Sequence, residues 1–220
     1  MTTKDMVKIT LNLVVIYVIG GVIMAFVYAR TSPIMFVKAK EEKEAALKLM
    51  MPDADKIASL GSWAPHEKHA EYYAARKCGE LKTVSIKDEK TGKMKEDKEC
   101  VSPEDLGYIV EGFGKGYSSY INILVSVDKD FIVKKINVLH HGETPGLGDE
   151  IEKEYFQKQF EGKKAEDLVV IKGETPDKIQ AITGATISSR AVTEDGARKG
   201  VEMLKEKLSG EVRNEPETKE

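Results

Sequence analysis

Residues 120–140, YINILVSVDKDFIVKKINVLH, decide the fold class. Ile121, Ile123, Val125 and Val127 alternate along the first half, the period of a strand that buries one face. Asp128-Lys129-Asp130 has turn chemistry, and Ile132 to His140 returns, so the segment reads as an antiparallel hairpin. Before it, Tyr108 to Glu111 reads as a strand, and Gly112, Gly114 and Gly116 as a glycine-rich turn. A dinucleotide fingerprint would need a helix after those glycines, and a strand follows instead. After the hairpin, Asp149 to Phe160 reads as a helix with Ile151, Tyr155 and Phe160 inward, and Leu168 to Lys172 as a strand. A last helix carries Ala197, Val201, Leu204 and Leu208 on one apolar face. The expected class is α+β, with a mainly antiparallel sheet and flanking helices.

Two short motifs stand out from this frame. The first is Thr183-Gly184-Ala185-Thr186-Ile187-Ser188-Ser189, a small turn crowded with hydroxyls at the start of the last helix. Backbone N–H groups and the helix dipole make such a turn an anion site, suited to phosphate. The plain alternative is that Thr186, Ser188 or Ser189 only caps the helix. The second motif is His141-Gly142-Glu143-Thr144-Pro145-Gly146-Leu147-Gly148. Pro145-Gly146 signals a turn, and glycines on either side of Leu147 let backbone approach a flat ligand; an ordinary strand-to-helix loop is the alternative.

Of the 220 residues, 32% are charged and 41% hydrophobic, and the net charge is −3, which gives no sign of nucleic-acid binding. Ile9 to Ala29 is almost unbroken apolar sequence, and about twenty such residues cross a bilayer. Val27-Tyr28-Ala29 would serve as a signal-cleavage site, but the run is longer than a signal peptide's apolar stretch and Tyr28 and Arg30 resemble interfacial anchors. An uncleaved anchor is the expectation. Pro33 is able to open a new helix, Glu41 to Met51 is strongly helix-forming, and Pro52 stops it. Cys78 and Cys100 bracket a polar excursion rich in Lys and Glu. In an exported domain a disulfide would close it, and free thiols are the alternative. No CxxC pattern supports a metal, cluster or haem, and the His66/His69 pair lacks a third ligand, so no metal is expected.

The TGATISS string followed by Ala191-Val192, together with the H-x-E-T-P-G-L-G loop, resembles the FMN-binding domain of two related proteins. These are the G subunit of the Rnf complex and the C subunit of the sodium-pumping NADH:quinone oxidoreductase. Gly114 to Tyr117 extends the resemblance, which runs from about 114 to 208. It implies FMN held through a phosphoester on Thr186, with Glu143, Thr144, Gly146, Leu147, Gly148, Thr183, Gly184, Ala185, Ile187 and Ser188 around the cofactor and no catalytic acid or base. The family's motif begins with Asp three residues before the S/T; Gln180 stands there, polar but uncharged.

The resemblance further implies an electron-carrying subunit of an ion-translocating, ferredoxin:NAD-type complex that performs no catalysis alone. Its expected partners are the other subunits, a flavin transferase and the lipid bilayer. Residues 1–8 would be cytoplasmic, 9–29 the single-pass anchor in the cell membrane and 30–60 a helical stalk. Residues 61–208 would form the FMN-binding domain on the extracytoplasmic side, and 209–220 a polar tail. The runner-up is the quinone-reductase C subunit. A membrane-anchored flavin sensor and a hydrolase using Ser188 or Thr186 with His141 are readings from other classes. The hydrolase lacks a nucleophile elbow and an orienting acid.

Overall fold

The computed structural model describes residues 3–79, 81–87, 94–100, 102–174 and 176–211. It divides into two compact units, 1–45 and 46–220.

The first unit is carried by helix α1, Thr3–Met50. It is long and apolar enough to cross a membrane, with a mean hydropathy of 2.4 in its most apolar stretch, and none of that stretch is buried by protein. Its apolar side chains, Ile16, Val22, Ile23 and Phe26 among them, are exposed on all sides, as a lipid-facing helix requires. Thr10 donates its hydroxyl to the Met6 carbonyl at 2.9 Å, so the polar group is satisfied within the helix. Pro33 opens no new helix. It lies inside α1, where it removes the N–H that would bond the Ala29 carbonyl.

The second unit is built on a five-stranded antiparallel sheet. Its strands are β1, Lys56–Trp63; β2, Ala70–Cys78; β5, Pro103–Lys115; β6, Tyr120–Val127; and β7, Val133–His140, hydrogen-bonded in the order β1-β2-β5-β6-β7. A separate hairpin, β3 (Leu81–Lys87) and β4 (Met94–Cys100), occupies the excursion between β2 and β5. Thr91-Gly92, a turn-like pair in that excursion, lies outside the described residues. Ladder pairs Leu81↔Cys100 and Cys78↔Pro103 set both cysteines at the neck of that hairpin, and Cys78 is disulfide-bonded. A short parallel pair, β8 (Val170–Ile171) and β9 (Ile179–Gln180), lies beyond the main sheet.

Both faces of the sheet are covered. On one, Val110, Ile121, Ile123, Val125 and Ile136 pack against Ile151, Phe156, Phe160, Leu168, Val192, Val201 and Leu204. On the other, Tyr73, Ala75, Ile109 and Leu124 meet Ala46, Leu47, Met50 and Met51. The hairpin is therefore as expected, yet Leu124 is as fully buried as the alternating Ile121 and Ile123. The compact body starts at Ala46, earlier than the boundary at 61. The last turn of α1 and β1 belong to it because Leu47, Met50 and Met51 close the second face.

Several local expectations are corrected. Gly112 and Gly114 do not turn the chain but lie inside β5, which runs on to Lys115; the turn is Gly116–Ser119. A Cβ on Gly114 would stand 1.9 Å from the Ala191 carbonyl oxygen, and one on Gly112 2.5 Å from that of Gly196. Their absence lets the wide π-helical segment Ala191–Arg198 press its backbone onto the sheet. The helix expected over 149–160 is broken into a 3-10 turn Gly148–Glu152, α2 (Glu154–Gln157) and a 3-10 turn Lys158–Phe160. Lys153 is extended between them, which shifts the phase: Phe156 is buried and Tyr155, expected inward, is 54% exposed. The strand expected over 168–172 shrinks to β8. The final helical run comprises α3 (Thr186–Arg190), the π segment and α4 (Lys199–Glu211).

Candidate functional site

The two motifs meet at one cavity of about 900 Å³, within the range of about 300–1,000 Å³ that small-ligand sites occupy. Its walls come from three places: Tyr117 in the β5–β6 turn, the Glu143–Gly148 loop after β7, and the segment from Gln180 through Ser188, with Lys172 and Gly173 at the end of β8.

Glu143 joins the first two walls to the third. The chain turns at Gly116–Ser119, with the Gly116 N–H donating to the Ser119 carbonyl at 2.9 Å. That turn aims three successive N–H groups, from Tyr117 (3.1 Å), Ser118 (3.0 Å) and Ser119 (3.4 Å), at the Glu143 carboxylate. The Ser188 hydroxyl of α3 donates to the same carboxylate in a short bond. Burial by itself would raise the Glu143 pKa. The Ser188 hydroxyl and the N–H groups of Ser118, Tyr117 and Ser119 outweigh it and hold the carboxyl below its ordinary value. Glu143, only 6% exposed, is thus an anionic clamp whose acceptors are engaged by protein donors rather than offered to a ligand. Gly148 serves the clamp too, because a Cβ there would stand 2.7 Å from Glu143 Cβ and 2.8 Å from Ser188 Oγ.

The rest of the loop is self-supporting. The Glu143 N–H donates to His141 Nδ1 at 3.1 Å, and His141 Nε2 pairs with Glu152 Oε1 at 2.9 Å. The partner of Ser188 is Glu143, so the serine and histidine of the hydrolase reading are engaged elsewhere. Gly146 adopts φ +74°, the left-handed turn that the Thr144 carbonyl closes by accepting from Leu147 N–H at 3.2 Å. Space at Gly146 is open, so backbone geometry and not a neighbour requires glycine there.

The TGATISS turn is organised by Ser189. Its Oγ accepts from Ile182 N–H at 3.0 Å and donates to the Ala185 carbonyl at 2.9 Å. Gly184 turns the chain with φ +81°. Ala185 is the N-cap of α3 and makes no side-chain capping bond, and Thr186 follows as the first helical residue. The plain capping reading therefore fails for Thr186: its half-buried side chain makes no hydrogen bond among the described residues. Thr183 and Ile187 are exposed on either side of it. Gln180 is exposed on the cavity wall, while its N–H is held by Gln159 Oε1 at 2.7 Å.

Sequence reasoning missed Tyr117, Lys172, Gly173, Ala181 and Ile182 as wall residues. Tyr117 was within reach, since Gly114 to Tyr117 already stood out as a segment. Lys172 carries no local signal, because tertiary packing alone brings β8 to this cavity. Tyr117 (75% exposed), Leu147 (47%) and Ile187 (53%) leave apolar surface uncovered around the cavity, a surface that a flat aromatic ligand would cover.

Residues 116–197 match the FMN-binding domain family, a span that includes all the described wall residues of the cavity. The chain is 34% identical over 197 residues to the G subunit of the proton-translocating ferredoxin:NAD(+) oxidoreductase complex of Clostridium ljungdahlii, covering 89% of this chain and 90% of that one. It is 42% identical over 95 residues to the G subunit of the Na(+)-translocating ferredoxin:NAD(+) oxidoreductase complex of Acetobacterium woodii, covering 41% and 45%. Among solved structures, NqrC of Shewanella oneidensis aligns with a TM-score of 0.43 at 22% identity, over 70% of this chain and 72% of that one.

Proposed function

Because the chain belongs to the family of G subunits of ion-translocating ferredoxin:NAD(+) oxidoreductase complexes, we propose that Thr186 carries FMN through a phosphoester at the cavity its two motifs build. At the coarser level the chain is an FMN-binding electron-transfer subunit of a membrane-bound oxidoreductase complex, and its partners are that complex's other subunits. One observation carries the finer reading: the Thr186 hydroxyl has no hydrogen-bond partner among the described residues, at the wall of a cavity lined by both motifs.

The residues present fit the cofactor. The cavity has the volume, the surfaces of Tyr117, Leu147 and Ile187 suit a flat ring, and the turn before α3 offers a hydroxyl for a phosphoester. FMN supplies the redox chemistry, and the protein supplies placement and electrostatics. Glu143 fixes the relative positions of the Tyr117 turn, the Thr144–Gly148 loop and α3. Its carboxylate oxygens accept from four donors of the protein, so its role here is to hold the walls and not to contact a ligand. Ser189 fixes the turn that displays Thr186. No acid–base side chain has to act.

Attachment by a flavin transferase is part of this proposal, with Gln180 in the place where the family motif has Asp. So are the cytoplasmic N-terminus, an extracytoplasmic flavin domain and a disulfide between Cys78 and Cys100, the chain's other cysteine. Thr186→Ala should abolish flavin fluorescence of the denatured protein on a gel, while Ser188→Ala retains it. A fluorescent Thr186→Ala band would overturn the assignment. For orientation, protease added outside spheroplasts should cut within 81–99; protection of that segment would reverse the topology.

A further inference from the structure

We propose that Lys172 is the phosphate-recognising residue of the cavity, a role that rests on the reading of this cavity as the flavin site. Lys172 is the one cationic side chain among the cavity's described wall residues. Other lysines of the neighbourhood are engaged: Lys178 bonds Asp167 at 3.0 Å, and Lys163 donates to the Pro176 carbonyl. Lys172 has no ion pair or hydrogen bond among the described residues. An exposed ammonium at the wall of a cavity that otherwise holds one fully engaged carboxylate is an available charge.

Its placement follows from β8 and β9. The strands run parallel, with Ile171 opposite Gln180, and the Ala181 N–H donates to the Ile171 carbonyl at 2.9 Å. Parallel strands end on the same side, so Lys172 leaves β8 where Ala181 to Thr186 leaves β9. Gly173, at φ +108°, turns the chain away directly afterwards. The Lys172 backbone therefore lies beside the segment that leads into the turn bearing Thr186, and its side chain is on the wall of the same cavity. A phosphate esterified to, or approaching, the Thr186 hydroxyl is the anion this arrangement fits. The apolar ring has no comparable need of it. The contact is solvent-exposed, so it is screened by salt and modest in size.

The test uses the full-length protein in a non-ionic detergent. In a Thr186→Ala background, FMN and riboflavin are titrated separately by flavin fluorescence, with Lys172 kept, changed to Gln, or changed to Arg. Lys172→Gln should weaken FMN about fivefold at low salt, with the difference fading at high salt. Riboflavin, which lacks the phosphate, should bind unchanged, and Lys172→Arg should restore FMN binding. Equal loss for both flavins, or no loss for FMN, would overturn the role of Lys172 while leaving the flavin site intact. Failure of both flavins to bind with Lys172 present shifts the decision to the covalently loaded protein. There the phosphorus NMR resonance should move in Lys172→Gln and stay in place in Lys205→Gln. An unmoved resonance overturns the role, and a protein that never carries flavin overturns the site reading itself.

Discussion

A threonine hydroxyl with no partner among the described residues and a glutamate with four donors sit on the walls of one cavity, and the contrast separates ligand-facing groups from structural ones. Hydroxyls at a helix start usually cap, and Ser189 does the equivalent work here by bridging Ile182 and Ala185. Thr186 is thereby left available. Glu143 looks from sequence like a ligand contact, but its carboxylate is engaged by Tyr117, Ser118, Ser119 and Ser188. Its folded pKa is lowered. The ionised clamp therefore stabilises the fold above the ordinary glutamate pKa of about 4.5, and that stability is lost as pH falls through the lower folded value. Glu143→Gln should lower the melting temperature at neutral pH, corresponding to about 1–3 kcal/mol for a buried acceptor turned donor. The gap to the native protein should narrow as the solution is acidified below that range. Melting curves across pH check this; a gap independent of pH would remove the charge from the argument.

At the scale of elements, the contact between β5 and the π-helical segment is made by what the strand lacks. Gly114 and Gly112 admit the carbonyls of Ala191 and Gly196, both backbone atoms that have nowhere to go. Gly196 faces chiefly the Cδ1 of Ile123, at 2.7 Å from an added Cβ, and that side-chain end can rotate. Gly114→Ala should therefore destabilise the domain by several kcal/mol, about the 3 kcal/mol or more of a severe overpacking, whereas Gly196→Ala should cost roughly 1 kcal/mol. Chemical denaturation of the pair checks the order. Since the π segment follows α3 directly, a surviving Gly114→Ala protein should also show an altered flavin spectrum. Alternation revealed β6 and β7 because their apolar residues repeat at the strand period. It did not reveal β1 and β2. In β2, Ala70, Tyr72, Tyr73, Ala74 and Ala75 are all buried, so both faces are apolar and no alternation survives. The glycines of β5 read as a turn for a related reason: local chemistry cannot tell a glycine that bends a chain from one that makes room for a distant helix.

For the molecule as a whole, the helical segment changes role along its length: the apolar run of 9–29 gives way to charged residues, and from Ala46 its side chains close the sheet's second face. A soluble protein beginning at Ala46 should fold cooperatively. One beginning at residue 61 should not, because it removes most of β1 together with Ala46, Leu47, Met50 and Met51, and bares Tyr73, Ile109 and Leu124, each buried side chain being worth about 1.5–3 kcal/mol. Size-exclusion chromatography and melting of the two compare them directly; a well-folded shorter protein would return the boundary to 61. The membrane-length helix, the antiparallel hairpin, the two motifs and the family were all legible in the chain before folding, because hydrophobic period, turn chemistry and motif order are written over neighbouring residues. Which motif residues face the cavity and which hold it together emerged only on folding. Glu143 and Ser188 lie 45 positions apart and become partners in the folded chain, as Lys172 comes to the cavity through β8. Burial and hydrogen-bond pairing are set by residues distant along the chain, and no local pattern records them.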